Sequence, residues 1–323
     1  MFNRLYAIAA NTFLETIRQP IFLVLLLITA MLMVLNVGLA AYTLEDDDKL
    51  LIDLGLSTLL LSGLFLAGFS ATGALTREIE NKTALTVISK PISRPLFFLG
   101  KFAGLVAAMT VAIYLSFLAF LLAVRHEVLE TSTTPFDMPV LILGGGAVLI
   151  SVGIAGALNF LHGRDFGSMA IALVLPLLTT AVLITGFFDK EWNPQRVYSI
   201  GIIDKQLGVA ALLVGMAVLV LSAVALTAST RLGQVMTLLI CGAVLAVGSI
   251  SDYVVGQYAP TSTVLAAIYR LIPNFSVLYV SDAITADIKI GWGYVVRAGA
   301  YALFWITGVL MLGIVLFQRR EVA

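Results

Sequence analysis

The side chains able to do acid–base, nucleophilic or metal chemistry are few and scattered. The two histidines, His126 and His162, fall on opposite sides of the helical pattern and cannot share a metal. Cys241 is the single cysteine and lies inside an apolar run, so no disulfide framework or multi-cysteine metal site is available. Glu45-Asp46-Asp47-Asp48 are consecutive and lack the alternating ligand spacing of a calcium loop, so they read as a solvated turn. Gly100-Lys101 is followed by Phe102, and Pro95 stands where a phosphate-binding loop needs its first glycine. The nine methionines read as packing residues in a hydrophobic chain. These residues predict no catalytic group, no metal site and no cofactor bound by the chain itself.

The elements around these residues are dictated by composition. Of the 323 residues, 60% are hydrophobic and 12% charged, an apolar excess too large for one water-facing globule. The formal net charge is zero, which gives no support for a nucleic-acid partner. A hydrocarbon core about 30 Å thick takes roughly 20 helical residues to cross. Runs of that length recur at 21–42, 53–75, 96–124, 139–161, 166–188, 206–229, 232–255 and 296–317, the fifth broken by Pro176. The fold class is therefore an all-α polytopic membrane protein with about eight transmembrane helices, six to eight allowing for weaker runs. No cleavable signal peptide is expected, because Ile21–Ala41 exceeds an h-region of about 7–15 residues.

Two segments are neither spans nor simple loops. Residues 1–20 form an amphipathic unit: Phe2, Leu5, Ala9, Phe13 and Ile17 share one helical face, and Pro20 marks the junction with the first span. Such a helix lies in the interface plane. The remainder, 21–323, reads as a single transmembrane domain. Within it, 256–295 holds two apolar stretches around Pro273-Asn274, each too short to cross, which read as re-entrant or interfacial helices. Trp192, Tyr258, Tyr279, Trp292 and Tyr294 fit an outer aromatic belt.

Basic residues set orientation, since cytoplasmic loops retain them. With the N-terminus inside, the inner segments carry eleven basic residues against five acidic ones, and the outer segments eight against fourteen. Both termini are then cytoplasmic in a multi-pass protein of the inner or plasma membrane. The centres of the eight runs contain no Asp, Glu, Lys, Arg or His. A mid-membrane charge costs about 2.5–3.5 kcal/mol on insertion scales and is kept mainly for function, so its absence argues against a self-powered proton- or ion-coupled pump. Sodium coupling through carbonyls at broken helices stays open. An integral-membrane lipid-modifying enzyme would need acid, base or metal ligands clustered at one face, and no such spacing occurs.

The loop Arg77–Arg94 joins the second and third runs. It has room for about three helical turns ended near Pro91. Leu85, Ile88 and Ile79 form a small apolar knob among polar neighbours, suited to a groove on a soluble partner. A surface linker whose cations only fix topology is the other reading. The run Arg77 to Lys101, ending Lys90-Pro91-Ile92-Ser93-Arg94-Pro95-Leu96-Phe97-Phe98-Leu99-Gly100-Lys101, resembles the first cytoplasmic loop of ABC-2-type transporter permeases. It is most similar to the branch grouped with multi-copper enzyme maturation permeases. The N-terminal amphipathic helix, the outer segment before the last run and Phe317-Gln318-Arg319-Arg320-Glu321 look like that family too.

The resemblance implies an exporter subunit: a homodimer of permeases in membrane lipid, bound by separate ABC ATPase subunits that carry ATP and Mg. Residues 77–94 would be the coupling loop, with Glu78, Glu80, Thr83, Leu85, Pro91 and Arg94 at the ATPase contact or setting loop geometry. Commoner members have six spans, so a hairpin at 139–188 or 206–255 looks additional. A second ATPase contact would then fall at His162–Asp165 or Ser229-Thr230-Arg231. Gly100, Gly104, Ala108 and Ala112 recur every four residues, as do Gly63, Ala67 and Ala71. Such stripes serve helix packing within a subunit or a dimer seam. Asn36 and Asn159 read as interhelical hydrogen-bonding groups.

Overall fold

The computed structural model describes residues 2–42, 47–80, 93–128, 136–195 and 205–319. The chain order is α1 (Phe2–Ile17), α2 (Pro20–Ala40), α3 (Asp47–Glu80), α4 (Arg94–His126), a π turn (Val140–Gly144) continuing into α5 (Gly145–His162), α6 (Phe166–Thr185), α7 (Lys205–Ser229) and α8 (Gln234–Val254). A 3₁₀ turn (Gly256–Thr261), α9 (Thr263–Leu271), a second 3₁₀ turn (Phe275–Val277), α10 (Ser281–Thr285) and α11 (Trp292–Gln318) complete it. Among the described residues eight helices are long and apolar enough to cross a membrane: α2 to α8, with the π turn joined to α5, and α11. The protein is an all-α, multi-pass membrane protein. Its spans alternate in direction between the face that carries α1 and the opposite face.

Packing between spans depends on close fit, since lipid tails are as apolar as the helix surfaces they would replace. Helix α7 is the hub, with 78% of its span buried against 22% for α8 and for α11. It lies between α3, α4, α8 and α11. Glycine admits the closest approaches: a Cβ on Gly63 of α3 would stand 2.3 Å from Val218 of α7, and one on Gly55 would overlap the Phe120 ring of α4. Helix α5 leans chiefly on α6, so this pair forms a peripheral hairpin.

Pro176 does not break the fifth span. Helix α6 runs through it. The proline removes one backbone donor, the one that would reach Ala172 O, and the helix is carried across that single lost bond by the neighbours it packs against. The π turn opening the fourth span had no sequence signal. Asp137 Oδ1 accepts from Val140 N at 3.0 Å at its start.

The amphipathic helix is also more enclosed than a helix lying on a membrane. Thr12, Thr16 and Ile17 of α1 are buried against the bundle, while Phe2 and Tyr6 are exposed. The contact side thus joins Thr12 and Thr16 to Ile17 and to the half-buried Ala9 and Phe13 of the apolar stripe, whose outer end at Phe2 is left exposed.

Candidate functional site

Helix α3 ends and α4 begins at the α1 face, on either side of the 77–94 loop. Helix α3 has 34 residues and α4 has 33. At 1.5 Å per residue each is about 50 Å long, roughly 20 Å more than the hydrocarbon core. Glu78 and Glu80 fall in the last turn of α3. Their side chains lie outside the described residues, as do Thr83, Leu85 and Pro91.

Arg94, in the first turn of α4, is the loop position whose contacts are described. Its Nη1 donates to Gln318 O at 2.7 Å, at the end of α11. Arg231, in the α7–α8 turn, donates to Leu316 O of the same helix end at 3.0 Å. Unpaired carbonyls and the negative end of the helix dipole both favour cations there. The loop exit, the α7–α8 turn and the C-terminal helix are therefore fastened at one point. Beneath it Phe317 stacks on Phe97 with ring centroids 6.0 Å apart.

Seven residues further along α4, Lys101 is almost fully buried and pairs with Glu15 of α1 at 3.2 Å, its Nζ 5.7 Å from the Phe97 ring centre. The small-residue stripe continues the α1 contact. A Cβ on Gly100 would meet Ile8 at 2.7 Å, and one on Gly104 would meet the Ala9 carbonyl at 2.4 Å. Ala108 and Ala112 are fully buried in the core. His162 is exposed at the end of α5, and Asp165 caps α6 by accepting from Ser168 N at 2.8 Å.

Charge is divided between the faces. The α1 face carries Arg4, Arg18, Arg94, Lys101, Arg164, Arg231 and Arg319, and the opposite face carries most of the described acids. Three networks close that opposite face. Arg125, at the end of α4, pairs with Asp137 at 2.9 Å, donates to Phe188 O at 2.7 Å and also bonds Thr185 O. Asp53 of α3 accepts from Ser281 at 2.5 Å and from Tyr279 at 3.0 Å, and the Tyr279 hydroxyl is 2.7 Å from Ser57. Tyr279 is therefore an anchor pointing inward rather than a belt residue, and burial, reinforced by the Asp53 carboxylate, pushes its phenol up to about 12. Tyr294 likewise points inward, donating to Val277 O at 2.8 Å.

The third network holds the 256–295 segment. Tyr269 hydrogen-bonds Asp252, and that bond first, then burial, raises its pKa above the ordinary tyrosine value. Asn274 donates to Tyr269 Oη at 3.1 Å and, through its backbone N–H, to Tyr301 Oη at 2.6 Å. Phe275 and Leu278 are buried, so this segment is plugged into the bundle end. Asn36 donates to Thr58 Oγ1 at 3.0 Å, joining α2 to α3. Asn159 does not bridge helices: it donates to Arg164 O at 2.6 Å and ties off the end of its own helix.

Among the described residues no group of three His, Cys, Asp or Glu side chains converges as a metal site would require. The described polar contacts are concentrated at fastened helix ends. No family model matches the chain, and no curated protein matches it.

Proposed function

We propose that this chain is the membrane-spanning permease subunit of an ATP-driven exporter of the ABC-2 type, moved by a separate ATPase through the 77–94 loop. The observation that carries the reading is the fastening at the loop exit. Arg94 links α4 to the end of α11, where Arg231 also binds, and Lys101 links α4 to Glu15 of α1. A push on the loop is then felt by four elements at once. The long helices that flank the loop, the basic residues of the α1 face and the lack of Asp, Glu, Lys, Arg or His at the span centres in the sequence support the same reading.

In this account the α1 face is cytoplasmic in an inner or plasma membrane, with both termini on that side. Two permeases pair, two ATPases bind ATP and Mg beneath them, and closure of the ATPases shifts the permease dimer between inward- and outward-open states. Glu78, Glu80, Thr83, Leu85, Pro91 and Arg94 transmit that movement and catalyse nothing. The cargo passes between subunits, and an amphiphilic molecule suits the apolar walls. The α5–α6 hairpin is the additional pair relative to a six-span permease.

The test is purification in mild detergent at near-native expression. An ATPase carrying a phosphate-binding loop is expected to co-purify, and Glu80→Ala with Arg94→Ala is expected to uncouple ATP hydrolysis from export. Recovery without an ATPase, with normal export by the double variant, overturns the proposal.

A further inference from the structure

A cavity of about 440 Å³ lies between α2, α4, the start of α5 and α6. Among the described residues Ser116 and His126 supply its only polar side chains, and the rest of the described lining is aliphatic, alanine, methionine or glycine. Its rim includes Leu27, Val34 and Leu141, which are 51%, 74% and 49% exposed. In a chain that spans a membrane those surfaces face hydrocarbon, so the cavity opens sideways into the bilayer.

Its shape selects the occupant. The lining on α2 runs from Leu23 to Gly38, a rise of about 22 Å at 1.5 Å per residue. Dividing the volume of about 440 Å³ by that length leaves a mean section of about 20 Å² for the centre of a water-sized sphere, or about 50 Å² once the sphere's radius of about 1.4 Å is added. A helix about 10–12 Å across has a section of about 80–110 Å², so a partner helix does not fit. A single extended hydrocarbon chain does. The volume also falls within the range of about 300–1,000 Å³ typical of small-molecule sites.

One end of the cavity is marked for a polar group. His126 closes α4 and lines the cavity at this end, its ring stacked on Phe136 with centroids 6.0 Å apart. The Arg125–Asp137 and Lys190–Glu127 ion pairs stand beside it in the chain and mark the level at which the lining gives way to charge. We propose that this cavity seats one acyl chain of a membrane phospholipid, with the chain along α2 and the head group at the His126 end. The proposal rests on membrane embedding and not on the transport reading, and its test needs no ATPase.

The test is photolabelling of the full chain in phosphatidylcholine nanodiscs doped with a phosphatidylcholine that carries a diazirine on one acyl chain. Adducts are mapped by peptide mass spectrometry. The segment Ser116–Ala123, whose cavity-lining Ser116, Leu122 and Ala123 are buried, is expected to label at least as strongly as the exposed Leu303 and Phe304 of α11. Gly38 and Gly145 line the cavity, and a Cβ on either meets nothing within 4 Å, so Gly38→Phe and Gly145→Phe are expected to fill it. Each should lower labelling of Ser116–Ala123 at least fivefold, while Gly308→Phe, in open space on α11, leaves it unchanged. Labelling confined to exposed faces of the wild type overturns the proposal, whether or not the variants fold. So does undiminished interior labelling in folded Gly38→Phe and Gly145→Phe.

Discussion

Replacing Asp137 by asparagine isolates the buried charge pair that closes the opposite face. The Arg125 side chain is 8% exposed and that of Asp137 is 1% exposed, with 2.9 Å between them. Removing one partner of a buried pair costs about 3–5 kcal/mol, because the other charge is left desolvated. Here Arg125 keeps the carbonyls of Thr185 and Phe188. Hydrogen bonds to a charged group are worth about 1.5–3 kcal/mol each, so part of the desolvation stays offset and the expected loss falls to about 2–3 kcal/mol. The asparagine oxygen still accepts from Val140 N, so the start of the fourth span is retained. The protein supplies its own probe: Cys241 is the single cysteine and is fully buried, so a fluorogenic maleimide reports unfolding in mixed micelles. The double variant Arg125→Met/Asp137→Leu removes both charges and is expected to lose less than Arg125→Met and Asp137→Leu combined, by at least about 1 kcal/mol. A loss below about 0.5 kcal/mol for Asp137→Asn, or strict additivity in the double variant, refutes the reasoning.

Gly104→Leu drives a side chain into the Ala9 carbonyl, a backbone atom that has no room to yield, and is expected to cost about 1–3 kcal/mol and free α1 to proteolysis in detergent. Gly308→Leu, in open space, is the neutral comparison. Tyr279→Phe tests the Asp53 anchor through pH. Unfolded tyrosine ionises near pH 10 while folded Tyr279 holds its proton to about 12, so its contribution is complete below about pH 10 and fades as pH rises to about 12. The stability gap between wild type and Tyr279→Phe should narrow over that window, and a constant gap contradicts the assignment. Asn36→Leu removes one interhelical hydrogen bond and should cost about 0.6 kcal/mol, with about 1.7 kcal/mol as the upper bound in the same thiol assay.

The spans were legible because crossing a bilayer is a summed property of about 20 residues, insensitive to which neighbour each one meets. All eight runs appear as helices, and Pro176 misleads because one missing backbone donor does not end a helix that its neighbours hold in place. What each polar residue bonds was far less legible. Asn36 and Asn159 have the same chemistry in similar apolar surroundings, yet one joins two helices and the other ties off its own, because Asn159 sits next to a helix end. Tyr279 and Tyr294 have belt composition and anchor geometry, a difference set by where the 256–295 segment plugs in. Arg125 and Asp137 flank a loop, and a sequence gives no sign that the loop brings them together. At the candidate site, Arg94 stood out by its place in the loop. Arg231 was noted for a possible partner contact, but its bond to the end of α11 depends on a helix 85 residues away.

The central claim is that force reaches this chain through residues 77–94 from a nucleotide-hydrolysing partner. The most direct measurement is photo-crosslinking in cells from a benzophenone amino acid placed at position 85, with position 45 as the comparison. The account predicts a position-85 adduct with a protein that carries a phosphate-binding loop, formed on the cytoplasmic side, and none with that protein from position 45. No such adduct from position 85, or equal yields from both positions, contradicts it.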